Sequence, residues 1–153
     1  MKRRNGLLAA AAAMVMAFAP TAQAQEPTTL RFSWWGGGAR HEATLKAIAA
    51  FEAKNPGVKI KAEYMGFAGY LERLSTQIAG GTEPDIMQIN WAWLSTFSKT
   101  GDGFYDLNKS KSSLALNQFA ETDLKMGMVG TKLNALPVSY TARVMLWNRA
   151  TFE

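Results

Sequence analysis

The hydrophobic pattern of this chain switches repeatedly between the two-residue period of a strand and the 3.6-residue period of a helix. Residues 30–34 form a short apolar run that reads as a first strand. Residues 41–54 then carry Leu45, Ile48 and Phe51 on one stripe with alanines filling around them, a helix that Asn55-Pro56-Gly57 stops. Residues 58–64 alternate apolar and polar, as a half-buried strand does. Residues 70–79 place Leu71, Leu74 and Ile78 on the inward face of a second helix, which Gly80-Gly81 ends. A third strand is predicted over 85–90, a short helix over 91–98 and a loop over 101–103. Further on, 119–128 has a weaker helical pattern, 131–136 reads as a short hairpin and 138–147 as a long strand.

Strand, helix, strand, helix, strand implies βαβ units, an α/β class and a mainly parallel sheet. In such open sheets, ligands bind beyond the carboxyl ends of the strands. Three groups of residues fall there: 34–41 after the first strand, 66–70 after the second and 90–93 after the third. Their convergence on one sheet edge predicts a single binding site.

The first group is the most informative. Trp34 and Trp35 offer flat faces that can stack on sugar rings. Gly37 sits in a glycine turn that lets the backbone approach a ligand closely. The first turn of the following helix presents free N–H groups, and Arg40 and His41 add cationic or hydrogen-bonding side chains. Together they suit a ligand that is both flat and negatively charged, such as an acidic sugar. The alternative is that both indoles are strand-end core residues and the glycines merely turn the chain. Gln88, Asn90, Trp91 and Trp93 also suit a carbohydrate, because amides both donate to and accept from hydroxyl groups. At least one of Trp91 and Trp93 is expected to be structural.

Arg40 can pair bidentately with a carboxylate, and so can Arg143, which interrupts the otherwise apolar stretch 138–147. His41, the single histidine, has no oriented partner in sequence, so a capping or ligand-contacting role is expected rather than catalysis. Glu83 and Asp85 resemble a carboxylate pair, but they flank Pro84 in a turn that Asp85 is expected to brace. No metal cluster, P-loop or nucleophile elbow is present, so neither a cofactor nor an enzymatic activity is expected.

The N-terminus changes how the charge is read. Lys2, Arg3 and Arg4 precede an apolar run over 7–19 and the small-x-small pattern Ala22-Gln23-Ala24, which together predict a secretory signal peptide cleaved after Ala24. The run is short of the ~20 residues that cross a bilayer as a helix, so no permanent membrane anchor is expected. Loss of residues 1–24 reduces the formal charge from +5 to +2, which gives little support for nucleic-acid binding. The chain has no cysteine, which excludes disulfides, thiol catalysis and a lipid-modified cysteine tether. Export without a tether predicts the periplasm.

Three segments carry a family resemblance: 30–35 (Leu-Arg-Phe-Ser-Trp-Trp), 51–58 (Phe-Glu-Ala-Lys-Asn-Pro-Gly-Val) and 78–86 (Ile-Ala-Gly-Gly-Thr-Glu-Pro-Asp-Ile). They resemble the N-terminal lobe of the extracellular solute-binding proteins of bacterial ABC sugar importers. Segments 40–45, 88–94 and 139–143 are similar to the oligogalacturonide-binding members. The resemblance implies a two-lobed periplasmic-binding-protein fold that closes on an oligosaccharide and presents it to an ABC permease in the inner membrane. It also implies a domain plan: residues 25–137 as the N-terminal lobe, residues 138–153 as a crossover strand and the start of a C-terminal lobe that is otherwise missing. Two rival readings stand beside it. One is a binder of neutral oligosaccharides. The other is an exported carbohydrate-active enzyme module or a non-functional fragment.

Overall fold

A computed structural model describes residues 27–141 and 145–152. The predicted signal peptide and Arg143 lie outside the described residues. The described residues pack as two compact units, the first ending at Ile86 and the second beginning at Met87.

The first unit is built on β1 (Thr28–Trp35), α1 (Gly38–Lys54), β2 (Val58–Met65) and α2 (Tyr70–Ala79). β1 and β2 pair in parallel along their whole length, from Thr28↔Val58 to Trp35↔Met65. Parallel neighbours need a crossover connection, and α1 supplies it. The sheet order is β2-β1-β3, with β3 reduced to Ile86–Met87. The α/β class and the parallel sheet are therefore as the pattern predicts. The core holds Trp34, Tyr70, Leu74, Pro84 and Ser33, and the Tyr70 hydroxyl donates to the Ser33 carbonyl at 3.3 Å.

Two elements differ from expectation. α1 starts at Gly38, earlier than predicted, and buries none of its residues fully. Leu45 and Phe51 stay 36% and 45% exposed. The sheet has only two full-length strands, too narrow a surface to enclose the flanks of the helix. The third strand is shorter than 85–90 for a local reason. The Asp85 carboxylate turns back to accept the Arg31 amide at 2.7 Å, and Asn90 leaves the strand to cap a helix.

Arg31 organises this frame. Its guanidinium grips Glu63 of β2 through Nε at 2.7 Å and Nη2 at 3.2 Å. Nη1 donates to the carbonyls of Thr82 and Glu83 at 2.8 and 3.1 Å, which fastens the turn ahead of β3. Arg73 of α2 joins Glu63 from the other side at 3.0 Å. At the far end of β2, Glu52 of α1 accepts the Ile60 amide at 2.7 Å and pairs with Lys59 at 3.0 Å.

The second unit contains α3 (Trp91–Phe97), 3-10 turns at Leu107–Ser110 and Leu116–Gln118, α4 (Glu121–Met126), the hairpin β4 (Met128–Val129) and β5 (Lys132–Leu133), and α5 (Arg149–Phe152). The hairpin lies ahead of the predicted 131–136 because Gly130, at φ +60°, is the residue that turns it. A buried polar knot holds the loop before it. Ser98 Oγ donates to Asn134 Oδ1 at 2.7 Å, and Asn134 Nδ2 donates to the carbonyls of Gly101 and Phe104 at 3.1 and 3.3 Å.

The long strand predicted over 138–147 is not formed among the described residues. Val138, Tyr140, Met145, Leu146 and Trp147 are irregular in backbone and 60–89% exposed. An apolar stretch becomes a strand only when a neighbour completes its hydrogen-bond ladder, and among the described residues no strand pairs with it.

Candidate functional site

In the first unit, the carboxyl ends of β1 and β2 bring five of the predicted residues together around the β1–α1 turn. Parallel register places Trp34 opposite Tyr64 and Trp35 opposite Met65. Past the strand end, the Gly36 amide still donates to the Met65 carbonyl at 3.0 Å. Gly37 then caps α1 with an extended backbone (φ −97°, ψ 177°), and a side chain placed there would meet nothing within 4 Å. The turn is open on that side.

Trp34 does not offer a face to a ligand, which corrects its expected stacking role. It is 2% exposed, stacks on Tyr64 with centroids 5.0 Å apart, and packs against Phe32 at 5.0 Å. Its position two residues after Phe32 on the inward side of the strand puts it in the core. Its indole N–H donates to His41 Nδ1 at 3.1 Å. An accepting Nδ1 places the imidazole proton on Nε2. The His41 ring also packs against Tyr64 at 4.5 Å. His41 is thus a fixed, half-buried ring on aromatic support.

Trp35 is half-buried and meets Phe67 and Tyr70 edge-on at 5.7 and 5.0 Å. Arg40 is exposed, and its side-chain stem lies back over Gly36. The surface therefore combines an exposed guanidinium, a fixed imidazole and aromatic edges. Sequence reasoning did not name Tyr64 and reached Phe67 only within the group 66–70; the two are 43% and 58% exposed here. Their signal was position: Tyr64 ends the alternation of β2, and Phe67 follows in the loop before α2.

Electrostatics beneath this surface are settled by ion pairing. The Arg31 hydrogen bond holds the Glu63 carboxyl below the usual carboxylate range against an opposing effect of burial. The same contact pushes Arg31 up. These charges neutralise one another.

In the second unit, the predicted residues gather at the start of α3. Asn90 is its cap, with Oδ1 accepting the Ala92 amide at 3.0 Å, so that oxygen serves the helix rather than a ligand. Trp91 is 72% exposed and presents its ring to solvent. Trp93 and Gln88 are half-buried, and each already has an interaction partner. Among the described residues no cluster of His, Cys, Asp or Glu could hold a metal ion, and no helix is long and apolar enough to cross a membrane.

The sequence profile of bacterial extracellular solute-binding proteins matches residues 35–153. The chain belongs to that family. A periplasmic oligogalacturonide-binding protein of Yersinia enterocolitica, solved with saturated digalacturonic acid, is 54% identical to this family member over 73% of the chain, with a TM-score of 0.71. A periplasmic solute-binding protein of Pectobacterium atrosepticum is 59% identical over 73% of the chain, with a TM-score of 0.70. A binding protein of Brucella abortus is 30% identical over 99% of the chain. The chain spans 36% of the Brucella relative's length, and 28% and 27% of the Yersinia and Pectobacterium chains.

Proposed function

We propose that this chain is the N-terminal, ligand-contacting part of a periplasmic binding protein that takes an acidic oligosaccharide of the oligogalacturonide type and delivers it to an inner-membrane ABC permease. The observation that carries this reading is the 54% identity with the Yersinia protein solved with digalacturonic acid. The chemistry of the first unit agrees with it. Arg40 supplies an exposed guanidinium that suits a carboxylate, and Gly37 leaves the start of α1 open beside it. His41, Trp35, Tyr64 and Phe67 give the sugar rings hydrogen-bonding and apolar neighbours. In the second unit Trp91 offers a stacking face, and Arg143 is a second candidate for a carboxylate. Closure of a second lobe over the ligand belongs to the longer protein that the relatives represent. Cleavage after Ala24 would deliver the chain to the periplasm.

The test is a calorimetric or NMR titration with digalacturonate and with its methyl-esterified, neutral counterpart. A charge-assisted hydrogen bond contributes about 1.5–3 kcal/mol, so the acid should bind at least about tenfold tighter. Arg40→Ala should remove most of that preference. Equal affinity for acid and ester in the unaltered chain would overturn the reading.

A further inference from the structure

Gly36 is not one of the turn's flexible glycines in any obvious sense. Its backbone is outside the left-handed region, and its amide completes the β1–β2 ladder. Its neighbour Gly37 could carry a side chain in open space. A Cβ on Gly36, by contrast, would lie 2.5 Å from Cδ of Arg40 and 3.1 Å from its Cβ and Cγ. No relaxed carbon pair approaches so closely. The Arg40 stem therefore occupies the volume that a side chain at Gly36 would need.

We infer that Gly36 is a positioning residue that sets specificity for acidic ligands by seating the Arg40 side chain back across the β1–α1 turn. This deepens the reading of Arg40 as the carboxylate partner and rests on it. The argument is steric and entropic. A free arginine side chain spreads over many rotamers, and ordering it costs up to about 2 kcal/mol. Gly36 lies ahead of α1, and Arg40 in the first turn of that helix folds its stem back over it. With glycine below, the stem lies flat and the guanidinium stays with the turn whose open amides begin at Gly37. With alanine below, the stem must leave, and the guanidinium moves away from the turn. Rotation of the exposed Arg40 side chain relieves the contacts to Cδ and Cγ, and the contact to Cβ at 3.1 Å asks for a shift of only a few tenths of an ångström at the turn.

The experiment compares the unaltered chain with Gly36→Ala, Gly57→Ala, Arg40→Ala and the double variant Gly36→Ala/Arg40→Ala. The first readout needs no ligand. Nuclear Overhauser contacts between the Gly36 α-protons and the Arg40 δ-protons should be present in the unaltered chain. In Gly36→Ala, contacts from residue 36 to the Arg40 δ-protons should vanish while those from β1 to β2 persist. Absence of the contacts in the unaltered chain, or an unmoved Arg40 in Gly36→Ala, overturns the inference whatever the ligand proves to be. The second readout is the ratio of affinities for digalacturonate and its methyl ester. Gly36→Ala should reduce that ratio about tenfold, to the level of Arg40→Ala. The double variant should lose no more, and Gly57→Ala, outside the site and with nothing within 4 Å of an added Cβ, should leave the ratio unchanged. A preserved ratio in Gly36→Ala overturns the specificity role. If the unaltered chain shows the proton contacts but no preference for the acid, the functional reading fails while the positioning of Arg40 stands.

Discussion

Replacing Glu63 by glutamine removes one charge and almost no volume from the frame under the β1–α1 turn. Glu63 accepts hydrogen bonds at 2.7 and 3.2 Å from Arg31 and at 3.0 Å from Arg73, with its own side chain only 9% exposed. A glutamine can keep one oxygen acceptor, but its amide nitrogen must face a guanidinium. Two charge-assisted bonds are lost or inverted, each contributing about 1.5–3 kcal/mol when well shielded. The Arg31 and Arg73 side chains are 31% and 39% exposed, so water recovers part of that loss. The net expectation is about 1–2 kcal/mol of local stability. The surface pair Lys125–Glu121, 64% and 84% exposed, serves as a contrast that should contribute almost nothing.

Amide hydrogen exchange along β1 and β2 reads this loss directly, because it reports opening of the first unit by itself. Its pH dependence carries a sign. The Arg31 contact lowers the folded-state pKa of Glu63. Its contribution is therefore fully present above the unfolded carboxylate value, about 4.3, and fades as pH falls through the lower folded value. The gap between the unaltered chain and Glu63→Gln should be constant at neutral pH and shrink below about pH 4. A gap under about 0.5 kcal/mol at pH 7, the size of an ordinary surface change, would refute the clamp. A gap that widens in acid would refute its electrostatic origin.

His41→Ala should cost about 1–3 kcal/mol by leaving the buried Trp34 indole N–H without its acceptor; His41→Asn, which restores an acceptor near Nδ1, should recover part of it in a thermal melt. Gly127→Ala should lower the melting temperature sharply, because a Cβ there would fall 1.9 Å from the Ala135 carbonyl oxygen, whereas Gly57→Ala meets nothing within 4 Å and should not. Trp91→Ala should leave stability within about 0.5 kcal/mol yet weaken acid and ester alike in the same titration, since the ring is 72% exposed and stacking does not read charge.

Elements whose partners lie close in sequence were legible, and elements that depend on a distant partner were not. β1, α1, β2 and α2 follow from local periodicity and firm stops, and their predicted order and pairing are found. Leu74 is fully buried and Leu71 and Ile78 half-buried, as the α2 stripe requires. The stretch 138–147 has the composition of a strand, but composition cannot supply a ladder. The 3-10 turns at Leu107–Ser110 and Leu116–Gln118 show no hydrophobic period; the first is set by the Asp106 carboxylate accepting the Asn108 amide at 3.1 Å. For the site, sequence placed Arg40, His41, Gly37 and Trp35 at one turn. It could not rank Trp34 against Trp35, because both sides of β1 are covered, Trp34 by His41 of α1 and Trp35 by Tyr70 of α2, and the difference lies in how fully each cover closes.

That ranking decides where selectivity for an acid can reside. Trp34 is buried, and Trp35 is half-buried with Phe67 and Tyr70 packed against it, so only part of one indole at the β1–α1 turn reaches solvent. Exposed indole faces among the described residues belong to Trp91 and Trp147 instead. Stacking responds to shape and apolar area, and a galacturonate ring and its methyl ester differ little in either. A site resting on indoles alone would treat the two ligands alike. Discrimination needs a group that distinguishes a carboxylate from an ester, which is the property of a guanidinium whose stem is already in place. At the β1–α1 turn that group is Arg40, and the space that seats it is the missing side chain of Gly36. Specificity for the acid is therefore expected to follow Gly36 and Arg40, while affinity for the neutral ester should be nearly indifferent to either.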